Sequence, residues 1–132
     1  MKRIVAEWVE KAEGDFGVMQ RELRGKKSPC FDAVCFHAQQ CAEKYLKGRL
    51  AQAGVPFAKI HSLTTLLDQI LPVEPLWEAH RADLAHLSAY AVAFRYPGES
   101  ADRTEAKDAA VRCRRFRAAA RAALRLPLQG SG

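Results

Sequence analysis

The sequence of 132 residues lacks most of what would mark a membrane, secreted or phosphate-loop protein. No apolar run approaches the ~20 residues that a membrane span needs. The opening MKRIVAEWVEKAEGD interleaves charged with apolar residues and so carries no signal-peptide block. Cysteine is sparse: residues 30, 35, 41 and 113 form no C-x-x-C pair, and three of them fall on one predicted helix. They read as small buried apolar side chains of a reducing compartment, not as a disulfide framework or a zinc site. The expected location is the cytoplasm. No stretch alternates with period two, so no strand is predicted. Neither G-x-x-x-x-G-K-[ST] nor G-x-G-x-x-G occurs, no helix carries E-x-x-H or H-E-x-x-H, and no carboxylates pair at metal-ligand spacing. No metal and no cofactor are expected.

What is present is a helical pattern in a chain 48% apolar and 27% charged, long enough for a single domain with its own core. That domain is expected over residues 1–126, with residues 127–132 as a disordered tail. From Arg3 to Arg24, Val5, Trp8, Ala12, Phe16, Met19 and Leu23 recur at steps of three and four, the apolar face of a long helix. Ser28-Pro29 predicts the next helix start, a hydroxyl cap followed by proline. This helix stops near Gly54 and has the strongest pattern in the chain. Phe31, Val34, Cys35, Ala38, Cys41, Ala42, Tyr45 and Leu46 form a buried face, while His37, Gln40, Lys44 and Lys47 line the opposite side. Glu43 can pair with Lys47 one turn on, as a minor exposed contribution. Phe36 and Leu50 flank the polar stripe off the buried face, a placement that fits contact with a partner or second subunit.

A short helix is predicted from Ser62 to Ile70. Pro75 opens a long one, on which Trp77, Leu84, Leu87, Ala91 and Phe94 share a face, ending at Arg95-Tyr96-Pro97-Gly98. Asp102 and Glu105 have capping-box spacing and start a last helix running to about Arg125. The fold expected is all-α, an antiparallel up-and-down bundle of five helices, four long and one short. The formal net charge of +6 is uneven: Arg103 to Arg125 holds seven Arg and one Lys against two acids. Arg114, Arg117, Arg121 and Arg125 make a stripe there, either an ordinary solvated face or a surface for RNA or an acidic partner.

The segment Phe36-His37-Ala38-Gln39-Gln40-Cys41-Ala42-Glu43-Lys44-Tyr45-Leu46-Lys47 resembles the hallmark of the HEPN family (higher eukaryotes and prokaryotes nucleotide-binding), in its stand-alone prokaryotic branch. His61-Ser62-Leu63, followed by Leu66-Leu67, resembles that family's H-[DS]-L element, and Arg95-Tyr96-Pro97 its R-Y-P, in the right order. The resemblance implies a homodimer that binds a nucleotide or RNA. It also implies a minimal nucleotidyltransferase as partner in a two-protein, toxin–antitoxin-like system. His37, Gln40, Lys44, Lys47, His61, Arg95 and Tyr96 are then the candidate phosphate- and nucleotide-binding residues. Some branches of the family cleave RNA without metal through R-x4-6-H, where Arg stabilises the phosphate and His does acid/base work. The formal match here is Arg81 to His86, about 140° apart around a helix. A ribonuclease with Arg81 and His86 as catalytic residues, or with Arg95 and a histidine from elsewhere, is therefore one alternative. A non-catalytic protein-interaction module is another. Blander readings stand beside each residue: the polar stripe as a solvated face, His61 as a loop lock, Arg95 as a helix-end cap.

Overall fold

Residues 31–53 form the helix on which the rest of the chain packs. The computed structural model describes residues 1–128, so most of the predicted tail, residues 129–132, lies outside the described residues. The five α-helices are α1 (Arg3–Arg24), α2 (Phe31–Ala53), α3 (Leu63–Ile70), α4 (Arg81–Ser88) and α5 (Arg103–Ala123). Among the described residues there is no strand, and no helix is long and apolar enough to cross a membrane. The all-α expectation holds.

α2 touches α1, α3, α4 and α5. It runs antiparallel to α1, since Trp8 meets Gly48, Glu13 meets Tyr45 and Glu22 meets Cys30. It runs alongside α5 in the same sense, Ala101 meeting Asp32 at one end and Arg121 meeting Tyr45 at the other. Val34, Cys35, Ala38, Cys41, Ala42, Tyr45 and Leu46 of α2 are all buried, as the periodicity predicts. Each fully buried leucine contributes ~1.5–3 kcal/mol. α2 ends at Gly54, whose φ of +73° is the left-handed cap that glycine adopts without a Cβ penalty.

Three local expectations are corrected. Ser28 does not cap α2: it takes φ +46°, and the helix begins at Phe31. The Glu22 carboxylate, arriving from the last turn of α1, takes the Cys30 N–H at 2.9 Å instead. Cys30 is exposed, so only three of the cysteines are buried. Leu50 is buried within the chain itself and needs no partner to cover it, whereas Phe36 is 40% exposed.

The fourth long helix is divided. Pro75–His80 is a 3₁₀ turn, α4 follows for 8 residues, and Ala89–Ala91 is 3₁₀ again. The tighter winding eclipses side chains three apart, and it sets Trp77 and His80 together edge-on against Phe116 of α5, at 5.1 and 5.6 Å between ring centres. α3 and α5 start as predicted: the Ser62 hydroxyl accepts from Thr65 N–H, and Asp102 accepts from Glu105 N–H at 2.8 Å.

Candidate functional site

The predicted stripe on α2 is not a solvated face, because α2 is covered on nearly every side. His37 Nδ1 lies 2.7 Å from Asp15 Oδ1, and Lys44 Nζ donates to Asp15 Oδ2 at 2.5 Å. Lys47 Nζ donates to Glu43 Oε2 at 3.0 Å in a pair with 7% and 4% of the two side chains exposed, so this contact is buried rather than superficial. Both lysine charges therefore already have carboxylate partners. Removing either member of such a pair leaves a desolvated charge, which is far more costly than losing a surface contact.

The remaining polar residue of the stripe, Gln40, looks the other way, into a pocket of about 230 Å³ lined by Phe36, Gln40, His61, Ala91, Val92 and Arg95. These residues reach it from three parts of the chain. α2 supplies Phe36 and Gln40. His61 is set by the start of α3, where Leu63 N–H donates to Ser88 Oγ at 3.0 Å and ties that end to α4. Arg95 follows the break after Ala91, where Phe94 takes φ +64°, and its Nη2 donates to the Ala91 carbonyl at 3.1 Å. One guanidinium edge thus closes the helix end, as a C-terminal cation does. Tyr96, next in the chain, is exposed.

Beneath the pocket lies a polar network of which the sequence showed one pair, Glu43 with Lys47. Glu43 accepts from Gln39 Nε2, Lys47 Nζ and His61 Nδ1, each near 3.0 Å. Gln39 Nε2 also donates to the His61 carbonyl at 3.2 Å, and its Oε1 accepts from Gln40 Nε2 at 2.7 Å. Burial alone would raise the Glu43 carboxyl, but the hydrogen bonds from Gln39, Lys47 and His61, with the Lys47 charge, outweigh it and hold the group below its ordinary range. A second network joins three helices away from the pocket. Arg117 of α5 forks onto both oxygens of Glu13 at 2.8 Å, Tyr45 donates to Glu13, and Arg121 donates to the Tyr45 hydroxyl at 2.9 Å. Two of the four arginines in the predicted cationic stripe, Arg117 and Arg121, are thereby buried inside the bundle, while Arg114 and Arg125 are exposed.

The structure makes no contact between Arg81 and His86. Arg81 binds Glu78 at 2.6 Å and Asp68 at 2.5 Å on the α3 side. His86 Nε2 faces α5, 3.3 Å from Asp108 and 3.2 Å from the Tyr90 hydroxyl. Lys44 and Arg95, both among the candidate phosphate-binding residues, lie apart: Lys44 is held on α1 and Arg95 lines the pocket. Among the described residues, no three His, Cys, Asp or Glu side chains gather as metal ligands would.

One missed residue did leave a signal. Asp15 falls three residues after Ala12 and four before Met19, an acid interrupting the apolar stripe of α1. Such a residue needs a buried partner, and His37 and Lys44 are those partners.

The fold and pocket define an all-helical domain that presents one cationic side chain, one imidazole and an amide over apolar walls. The family model described as "HEPN domain" matches residues 5–123. The chain belongs to the HEPN domain family, and is thus a nucleotide- or RNA-related helical protein. No curated protein and no solved structure matches it.

Proposed function

We propose that the pocket of Phe36, Gln40, His61 and Arg95 binds a nucleotide or a nucleotide unit of RNA, with Arg95 on the phosphate. One observation carries this reading: the three motifs of the family resemblance, far apart in sequence, send Gln40, His61 and Arg95 to the same pocket. Phe36 and Val92 supply an apolar wall on which a base can lie. Lys44 and Lys47 act one step back, fixing Asp15 and Glu43, rather than meeting the ligand. His37 likewise serves Asp15. Tyr96, exposed beside Arg95, is a further contact for the ligand.

The protein functions as a homodimer and works with a minimal nucleotidyltransferase in a two-protein system. Family membership supports both. Titration calorimetry at low salt with AMP, ATP and a short RNA tests the binding. Saturable binding that falls at least tenfold in Arg95→Ala is expected, because a charge-assisted hydrogen bond of about 1.5–3 kcal/mol is removed. No heat with any of the three ligands refutes the reading. Sedimentation velocity reads the dimer, and co-purification reads the nucleotidyltransferase partner.

A further inference from the structure

We infer that this pocket selects ribose over deoxyribose, through His61 Nε2 as acceptor for a sugar hydroxyl, and that buried Glu43 is the positioning residue that sets this selectivity. The inference rests on the nucleotide-binding reading above and names the part of the ligand that the polar groups other than Arg95 recognise.

The ionised carboxylate of Glu43 can only accept hydrogen bonds. Its oxygens lie 3.0 and 3.1 Å from His61 Nδ1, so the imidazole proton sits on Nδ1. In a neutral ring this leaves Nε2 with its lone pair, as an acceptor. Lys47 supplies the counter-charge of Glu43 at 3.0 Å, so His61 meets an ion pair and not a bare anion. His61 itself is 70% exposed and lines the pocket, which makes Nε2 the nitrogen available to a ligand.

The same network fixes Gln40. Its Nε2 donates to Gln39 Oε1 at 2.7 Å, which leaves the Gln40 carbonyl oxygen as a second acceptor. The pocket therefore offers a cation, Arg95, together with two acceptors, His61 Nε2 and Gln40 Oε1. A phosphate alone satisfies only the cation. A deoxyribonucleotide brings the anion but fewer donors. A ribonucleotide brings the anion and adjacent hydroxyls, and so matches the set. His61 is 70% exposed, so water satisfies Nε2 when the hydroxyl is missing, and the preference for ribose is the worth of the one hydrogen bond that the deoxy analogue cannot make.

The test titrates AMP, its 2′-deoxy and 3′-deoxy counterparts and inorganic phosphate against the wild-type chain, Glu43→Gln and His61→Ala. In the wild type, loss of the recognised hydroxyl weakens binding about tenfold. In both variants the preference for AMP over that deoxy counterpart falls below about threefold, while phosphate binding through Arg95 changes less than about twofold. His61→Ala alters an exposed side chain and keeps the comparison usable if Glu43→Gln does not fold. Nitrogen-15 NMR of the free wild-type protein reads the tautomer directly: protonated Nδ1 and bare Nε2 in His61, with mixed tautomers in Glu43→Gln. Equal affinity for AMP and both deoxy counterparts overturns the inference and leaves nucleotide binding standing. A proton on Nε2 in the free wild type overturns it as well. Absence of binding by every nucleotide overturns the functional reading along with it.

Discussion

Glu43 shows how one side chain couples stability to function. It is buried, ionised and met by three donors. Glu43→Ala leaves the Lys47 ammonium buried without a counter-charge and should cost about 3–5 kcal/mol, read as a lower urea midpoint. Glu43→Ala combined with Lys47→Met should recover much of that loss, because the stranded charge is gone. Acid acts on the same contacts. Glu13 and Glu43 both have folded-state values below the ordinary 4.5. For Glu13, burial raises the carboxyl, but hydrogen bonds from Arg117 and Tyr45 and the two arginine charges bring it lower. The stability these carboxylates contribute is complete above their unfolded value, 4.5, and is lost as pH falls through the folded values. The urea midpoint at about pH 6 should therefore exceed that at about pH 3. Burial pushes the Cys35 thiol up to about 12, with Glu105 adding to the effect, so a thiol reagent should label exposed Cys30 in the folded protein and spare Cys35.

The helices were legible in the sequence wherever one apolar face decided them. α1 and α2 follow their predicted apolar stripes, and the Asp102 cap falls where its spacing to Glu105 puts it. What periodicity could not show was the far side of α2. A helix surrounded by four others buries its polar side too: His37 and Lys44 pair across to Asp15 of α1, and the Lys47–Glu43 pair along α2, expected to be exposed, is buried. The glycines illustrate the same limit. At Gly14 on α1 an added Cβ meets nothing within 4 Å. Between helices the tight approach is at Gly48 of α2, where an added Cβ would stand 3.2 Å from Trp8 Cβ. Gly14→Ala should stabilise by roughly 0.5–1 kcal/mol through helix propensity. Gly48→Val should destabilise by about 1–3 kcal/mol, because α1 and α2 must part to admit it. Thermal melts of the two variants should move in opposite directions.

For the whole molecule, the count of 21 lysines and arginines overstates the cations that an RNA would meet. Arg117 and Arg121 lie inside the bundle, and Lys44 and Lys47 are neutralised by acids. Of the side chains lining the pocket, Arg95 alone carries a permanent charge. The logarithm of RNA affinity should fall with the logarithm of salt concentration, and Arg95→Ala should flatten that slope by about 0.7, the share of one neutralised phosphate on a single strand. Arg117→Ala, by contrast, should leave the slope unchanged and lower the urea midpoint. A slope that responds to Arg117 would mean that the cationic stripe of α5 is the RNA surface after all.

The fork between Arg117 and Glu13 spans 104 residues of chain. During synthesis, α1 and α2 leave the ribosome long before α5, and the hydroxyl of Tyr45 and the carboxylate of Glu13 must wait for their arginines. Until α5 arrives, the Cys41 side of α2 has no cover and the helical hairpin is a substrate for chaperones and proteases. Closure of this fold is therefore a late event, and a chain truncated before α5 should be degraded in the cell while the full-length chain accumulates.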